Sequence, residues 1–309
     1  MIETPKRKVL FILSSGYSGS TLLTLLLTTH TDVATIGERR ALFSRLKEVT
    51  NPQGRCMCRQ AVPECAYLSA AYAAGRRKLP FYLRGVNYPR FKMSANPRLN
   101  HIAFRLAQVT EYGRDRGILT RWMSLPFRRV CKANAALMDF VLETEGARVF
   151  LDASKNPSDL RHMRASGLFD ITVIHLSRDG RGRFLSLLNR QPWLTVEEAA
   201  ASIVDMHDRS KALLDEWEGP VVHVKYEDLA GSPLDEIRRI ASEAGLDPSG
   251  MSLDFLGSCS HCIGNENVVH AKSTQIHNKE LWRTSLNGEL LQVFERIAGE
   301  SNRSFGYTD

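Results

Sequence analysis

Apolar residues in this chain gather in a few short runs. Residues 9–13 (VLFIL) are five apolar side chains in succession, rich in strand formers and closed by Ser14, Ser15 and Gly16. Such a run predicts a strand buried on both faces, as in a parallel sheet. Leu22, Leu23, Leu25, Leu26 and Leu27 follow at helical density and predict a helix over residues 19–30. Residues 148–152, 171–176 and 220–225 predict three more strands. Helices are predicted between them. Residues 134–145 lead into the second strand, and Asp179 is placed to cap a helix after the third. Thr195 with Glu198 forms a capping-box pattern opening a helix that carries Val204, Met206 and Leu213. Ser232 and Pro233 start another, closed near Gly245. Strands alternating with helices predict an α/β fold, a three-layer parallel sheet flanked by helices.

Residues 40–145 break this rhythm. They lack a strong strand pattern and are rich in arginine, which predicts a mostly helical insertion over the carboxyl edge of the sheet. With no internal repeat or long linker, residues 1–309 read as one domain. Charge sharpens the division. The formal net charge is +7, yet residues 76–132 hold 14 Lys/Arg against only Glu111 and Asp115, so the remainder is mildly acidic. Tyr82, Tyr88, Phe91, Phe104, Tyr112, Trp122 and Phe127 are interleaved with these basic residues. Basic plus aromatic suggests a polyanion groove, a glycan surface or contact with an anionic membrane; solvated helix faces are the plainer alternative.

No apolar run approaches the ~20 residues that span a bilayer. Lys6, Arg7 and Lys8 precede a run of only five apolar residues, shorter than the ~7–15 of a secretion signal. A cytoplasmic protein with reduced thiols is therefore expected. Cys56, Cys58 and Cys65 form one compact group, and Cys259, His261 and Cys262 another. Neither has the paired spacing of common zinc modules, so no metal is assigned.

Residues 14–21 (SSGYSGST) join the first strand to its helix. Small residues let backbone N–H groups point inward, and the helix N-terminus adds positive potential, which together suit a phosphate. Gly16, Tyr17, Ser18, Gly19, Ser20 and Thr21 are the candidate anion-binding residues. Against the G-x-x-x-x-G-K-[ST] pattern, Gly19 takes the last glycine, but Ser20 stands where the lysine belongs. The loop architecture of nucleotide enzymes is kept, while ATP or GTP chemistry is disfavoured.

Residues 14–23, followed by His30, Asp32, Val33, Gly37 and Glu38, resemble the amino-terminal signature of sulfotransferases that use 3′-phosphoadenosine 5′-phosphosulfate (PAPS) as donor. The His-x-Asp-Val and Gly-Glu spacing is similar to that of tyrosylprotein sulfotransferases and of many bacterial and carbohydrate sulfotransferases. Three later segments carry the likeness on. Arg178 at a strand end with Ser186 eight residues on matches the pair that binds the donor's 3′-phosphate, where guanidinium gives fork-shaped charged bonds. Residues 152–157 (DASKNP) resemble the segment whose lysine, here Lys155, approaches the sulfuryl group. Residues 225–229 (KYEDL) resemble the segment whose tyrosine, here Tyr226, lies near the adenine. His261, Gly264, Asn265, Trp282 and residues 305–307 match the family's tail loosely. The cluster Cys56, Cys58 and Cys65 looks like one in some bacterial members, where it is expected to shape the loop after the base.

The resemblance implies transfer of a sulfuryl group from PAPS to a hydroxyl or amine, with Glu38 as the candidate base and Lys155 stabilising the bridging oxygen. His30, His175 and His223 are rival bases, the last two expected as core histidines. Glu38 paired with Arg39 or Arg45 is the structural alternative. Two positions depart from the family. Tyr17 replaces a basic loop residue, so Lys155 serves alone or with an arginine of the insertion; Val268 stands where the tail pattern has an arginine. The acceptor, whether glycan, lipid or small metabolite, has no motif here, and nucleic acid is disfavoured. A P-loop small-molecule kinase and a non-catalytic polyanion- or membrane-binding module are the competing functions.

Overall fold

A computed structural model describes residues 5–47, 55–94, 96, 98–102, 125–276 and 280–308. Five parallel strands form its sheet: β1 Arg7–Ser14, β2 Val33–Thr35, β3 Val149–Asp152, β4 Phe169–Ser177 and β5 Val221–Lys225, in the order β2-β3-β1-β4-β5. The α/β parallel sheet read from the apolar runs is thus present. The three later strands begin or end within two residues of their expected limits. β2 was not anticipated: three residues are too few for a period to show, and pairing of Val33 with Val149 and Thr35 with Leu151 makes it a strand.

Alternation along β1 builds the two faces. Val9, Phe11 and Leu13 pack into one core with Phe150, Val173, Phe127 and Met138, while Leu10 and Ile12 pack into another with the leucines of α1 and with Ile237 and Ile240. α1 (Ser20–Leu27) has only eight residues, too few to persist alone in water. All eight are buried, and each enclosed leucine contributes about 1.5–3 kcal/mol. The helix stops three residues before its expected end. Thr28 and Thr29 turn their hydroxyls back onto the carbonyls of Leu25 and Leu26, at 2.9 and 2.7 Å, which competes with continuation.

Within the insertion lie α2 (Leu42–Lys47), α3 (Ala66–Arg76) and α4 (Leu125–Glu145), with short 3₁₀ turns between. Among the described residues its regular elements are helices and 3₁₀ turns, with an isolated bridge between Arg55 and Ala61. Tyr88, Phe91 and Phe127 are buried in the same core as the sheet, so these three aromatics are packing residues and correct the reading of the interleaved set as a surface. Tyr82 is exposed, while Phe104, Tyr112, Trp122 and the acidic Glu111 and Asp115 lie outside the described residues. Beyond β3 come α5 (Pro157–Ser166), α6 (Gly180–Arg190), α7 (Val196–Asp215), α8 (Tyr226–Gly231) and α9 (Pro233–Glu243). Asp179 caps α6 by accepting from the N–H of Arg181 at 2.9 Å, and the Thr195–Glu198 capping box is present in full.

The order of strands turns at β1. The chain leaves β1 through α1 to the edge strand β2, returns to β3, then crosses to β4 and β5. A ligand crevice is expected outside the carboxyl ends at such a turning point. Ser14, Asp152 and Ser177, followed by Arg178, stand at those ends.

Candidate functional site

The loop after β1 and the start of α1 form one wall of an open cleft of about 930 Å³. Gly16, Tyr17, Gly19, Ser20 and Thr21 line it; Ser18 does not, because its side chain is fully buried and its hydroxyl closes the loop on the carbonyl of Ser15 at 2.7 Å. Gly19 has φ 89°, and a Cβ there would lie 2.3 Å from the ring of Tyr226. Only glycine allows the loop to pass so near that ring. Two arginines hold the loop, the partly buried Arg178 and the buried Arg183. Arg178 donates to the carbonyl of Tyr17 at 2.8 Å, and Arg183 to that of Gly16 at 3.2 Å. Burial lowers Arg183 to about 10, which leaves it charged at neutral pH.

Opposite the loop, Glu38 and Lys155 meet. Lys155 Nζ donates to Glu38 Oε1 at 2.5 Å, and both line the cleft. The structural alternative for Glu38 is an ion pair with Arg39 or Arg45; the partner seen is Lys155. Arg39 instead is fully buried. It donates to Asp152 at 2.8 Å, to Asn134 at 2.5 Å and to Asp159 at 3.4 Å, and its guanidinium lies 5.0 Å from the ring centre of Phe91. Arg40 reaches the same Asp159 at 2.6 Å. Burial raises Asp159 to about 6, and the two arginines oppose that rise.

This buried network positions the pair in the cleft. Asp152 ends β3 and accepts from the N–H of Ser154, and Ser154 accepts from the N–H of Arg40 at 3.0 Å. The turn bearing Glu38 is thereby fixed against the turn bearing Lys155. Lys155 sits at φ 63° and Tyr17 at φ 64°, left-handed conformations that side-chain-bearing residues adopt at a cost. Both residues line the cleft, where such strain commonly marks function. Gly37, just before Glu38, has φ 71°, and a Cβ there would lie 2.1 Å from the carbonyl of Ile263. Glu38 N–H donates to that carbonyl at 3.0 Å, so the segment 263–268 forms the third wall.

A smaller cavity of about 280 Å³ adjoins the first and shares Tyr17, Gly19, Leu22, Arg190, Asn265, Asn267 and Val268 with it. Arg178, Ser186 and Tyr226 converge there from three separate segments. The Arg178 guanidinium lies 4.5 Å from the ring centre of Tyr226, and Ser186 donates to the carbonyl of Gly182 at 3.0 Å.

Arg190 and the Arg39–Asp152–Asp159 network escaped the reading of motifs. Arg190 stands four residues after Ser186 on α6, on the same helix face, and lines both cavities beside Tyr17 and Val268. Its guanidinium lies 5.7 Å from the ring centre of Tyr17. Its spacing from Ser186 was the available signal. Arg90 of the insertion also lines the larger cleft. No such spacing marks Asp152 or Asp159.

The rival histidines stand elsewhere. His30 is buried, accepts from the N–H of Asp32 at 3.1 Å and lines a different cavity. His175 is buried as expected, but His223 is exposed on the edge strand β5; their Nδ1 atoms are 3.3 Å apart, and neither lines the cleft. Among the described residues no helix is long and apolar enough to cross a membrane.

Known proteins extend this geometry. The structure is similar to the sulfotransferase domain of the Synechococcus PCC 7002 olefin synthase, at TM-score 0.52 and 19% identity over 99% of this chain and 98% of that one. It is similar also to the sulfotransferase domain from the curacin biosynthetic pathway, at TM-score 0.50 and 15% identity over 99% of each chain. At these identities the likeness is one of fold. No functionally curated protein matches the sequence. The profile of the sulfotransferase family, however, matches residues 10–249, from the first strand past the last, and on that match the chain belongs to the sulfotransferase family.

Proposed function

We propose that the chain, acting as one unit over residues 1–309, moves a sulfuryl group from PAPS to a hydroxyl or amine acceptor. The observation that carries this reading is a groove with two chemically different ends joined by one phosphate-type loop. The smaller end, with Arg178, Ser186 and Tyr226, suits a 3′-phosphate and an adenine. The larger end, with the loop, Lys155 and Glu38, suits the phosphosulfate and the acceptor. In-line transfer would then proceed by positioning and electrostatics. Glu38 takes the acceptor proton, and Lys155 stabilises the charge left on the oxygen that bridged phosphorus and sulfur. Lys155 Nζ stands 2.5 Å from Glu38 Oε1, so the two proposed roles sit side by side in the cleft.

The acceptor enters from the side of the insertion. The insertion carries the exposed Phe81 and Tyr82, 86% and 67% exposed, and a cavity lined by Arg76, Arg77 and Arg84, which fits a glycan, a small metabolite or an anionic lipid as acceptor. The kinase reading is disfavoured by Ser20 in place of the loop lysine.

Calorimetry with adenosine 3′,5′-bisphosphate and with ATP tests the proposal. Binding of the bisphosphate in preference to ATP is expected. Binding of ATP with Mg²⁺-dependent turnover would establish the kinase reading instead. Salt-sensitive binding of polyanions with neither nucleotide bound would establish a non-catalytic module.

A further inference from the structure

The geometry points to a structural zinc site formed by Cys56, Cys58, Cys65 and His261, independent of the donor reading above. The two cysteine-bearing segments lie about 200 residues apart in the chain and meet in the fold, where all four potential ligand atoms lie within 4.8 Å of one another. Cys65 Sγ is 3.4 Å from His261 Nδ1, Cys56 Sγ is 3.8 Å from it, and the two sulfurs are 3.7 Å apart. A tetrahedral zinc ion with Zn–S of about 2.3 Å and Zn–N of about 2.0–2.1 Å sets its sulfurs about 3.8 Å apart and its sulfur–nitrogen pairs about 3.5 Å apart. A disulfide would need about 2.05 Å between sulfurs. The spacing is that of ligands around a shared ion.

The backbone aims these groups at one point. Cys56 N–H donates to the carbonyl of Gln60 at 3.0 Å and Arg59 N–H to that of Cys56 at 2.8 Å, with Arg59 at φ 69°, a tight turn that brings Cys56 and Cys58 together. Cys65 stands immediately before α3. The His261 ring stacks on Tyr67 with centres 4.5 Å apart and planes within 11°, which holds Nδ1 toward the sulfurs. Cys56 and Cys65 are buried, and Cys58 is partly exposed, giving the ion a path in. Three sulfurs and one imidazole, with no oxygen ligand among the four, suit zinc over magnesium or calcium. Binding expels the three thiol protons and leaves three thiolates and a neutral imidazole around the ion. The ion would pin the 55–65 loop to the segment 261–265. That segment also receives the N–H of Met57 on Cys262 and of Glu38 on Ile263, and Ile263, Gly264 and Asn265 line the cleft. Zinc at this point therefore braces the wall that carries Glu38.

The experiment uses the full chain, produced without a metal-affinity tag and purified without chelator. Elemental analysis is expected to find about one zinc per chain, released by a mercurial thiol reagent and absent from Cys58→Ser and His261→Gln. Replacement of zinc by Co²⁺ in the unaltered protein is expected to give thiolate-to-cobalt charge-transfer absorption and the intense visible bands of tetrahedral cobalt, a readout that does not depend on how well the variants fold. Stripping the ion is expected to lower the melting temperature by several degrees. A natively folded chain that stays free of zinc when zinc is supplied, or gives octahedral cobalt bands, would overturn the assignment. So would a Cys56–Cys65 disulfide in the freshly isolated protein.

Discussion

Single side chains in this molecule divide into those that face the groove and those that hold them there. Arg178 lines the smaller cavity while one of its nitrogens braces the carbonyl of Tyr17. Arg178→Ala is expected to weaken the bisphosphate roughly 10- to 100-fold in calorimetry, as loss of a charged hydrogen bond costs about 1.5–3 kcal/mol. Unchanged affinity would remove Arg178 from the 3′-phosphate. On the proposed function Glu38→Gln keeps the shape and removes the base, so turnover should fall roughly 100-fold or more while bisphosphate affinity holds. Full activity would place the base elsewhere. Arg39 belongs to the holding class. Arg39→Ala strands Asp152, 0% exposed, as a buried carboxylate without its guanidinium and leaves Asp159, 1% exposed, with Arg40 alone. A loss of about 3–5 kcal/mol is expected in urea unfolding. A loss below 1 kcal/mol would mean that Arg40 and water suffice for both acids.

At the scale of elements, helix starts govern the order of the α6–α7 region. Thr195 opens α7 with a reciprocal capping box, its hydroxyl accepting from Glu198 N–H at 3.1 Å and Glu198 accepting from Thr195 N–H at 2.8 Å. Thr195 lines neither cavity of the groove. Thr195→Ala should therefore cost about 0.5–2 kcal/mol of stability and leave donor affinity unchanged. A change in affinity would show that α7 transmits strain to α6 and its Ser186–Arg190 face. This start was legible in the chain because the pattern is local: cap and partner lie three residues apart. So was the cap at Asp179. The edge strand β2 was not, since Val33–Thr35 becomes a strand only by pairing with β3, more than a hundred residues later.

Taken whole, the molecule buries histidines that titrate near neutrality. Burial lowers His162, His175 and His207 each to about 4 from an ordinary value near 6.5. The folded state then holds fewer protons than the unfolded chain below pH 6.5, so the stability these groups contribute is present above 6.5 and lost as pH falls toward 4. Asp159, raised to about 6, runs the opposite way and gains stability as pH falls through 6. Each group changes stability by at most about 1.4 kcal/mol per pH unit. Three losses set against the gains at Asp159 and at Glu227, whose carboxyl burial also raises, predict a net fall between pH 6.5 and 4, read as a declining urea midpoint. His207, bonded to Ser301 at 2.8 Å, carries one share, so His207→Gln should flatten the slope. A midpoint that is flat or rises over that range would contradict this account.

The sequence by itself determined the parallel sheet and the phosphate-type loop. A five-residue apolar run, a Ser/Gly turn and a leucine-dense helix are dictated by neighbours, and neighbours are what a chain displays. It placed the excess positive charge in the insertion, and four ordered motifs pointed to the residues proposed to meet the donor. The tertiary structure decided what those motifs face. It paired Glu38 with Lys155 across 117 positions, sealed Arg39 between Asp152 and Asp159, and turned Tyr88, Phe91 and Phe127 into core. It also joined two cysteine groups, each lacking the spacing of a metal module, into one set of four ligand atoms. Local periodicity carries no record of which distant segments share a wall; that follows from the crossing of the chain at β1 and from packing on the two faces of the sheet.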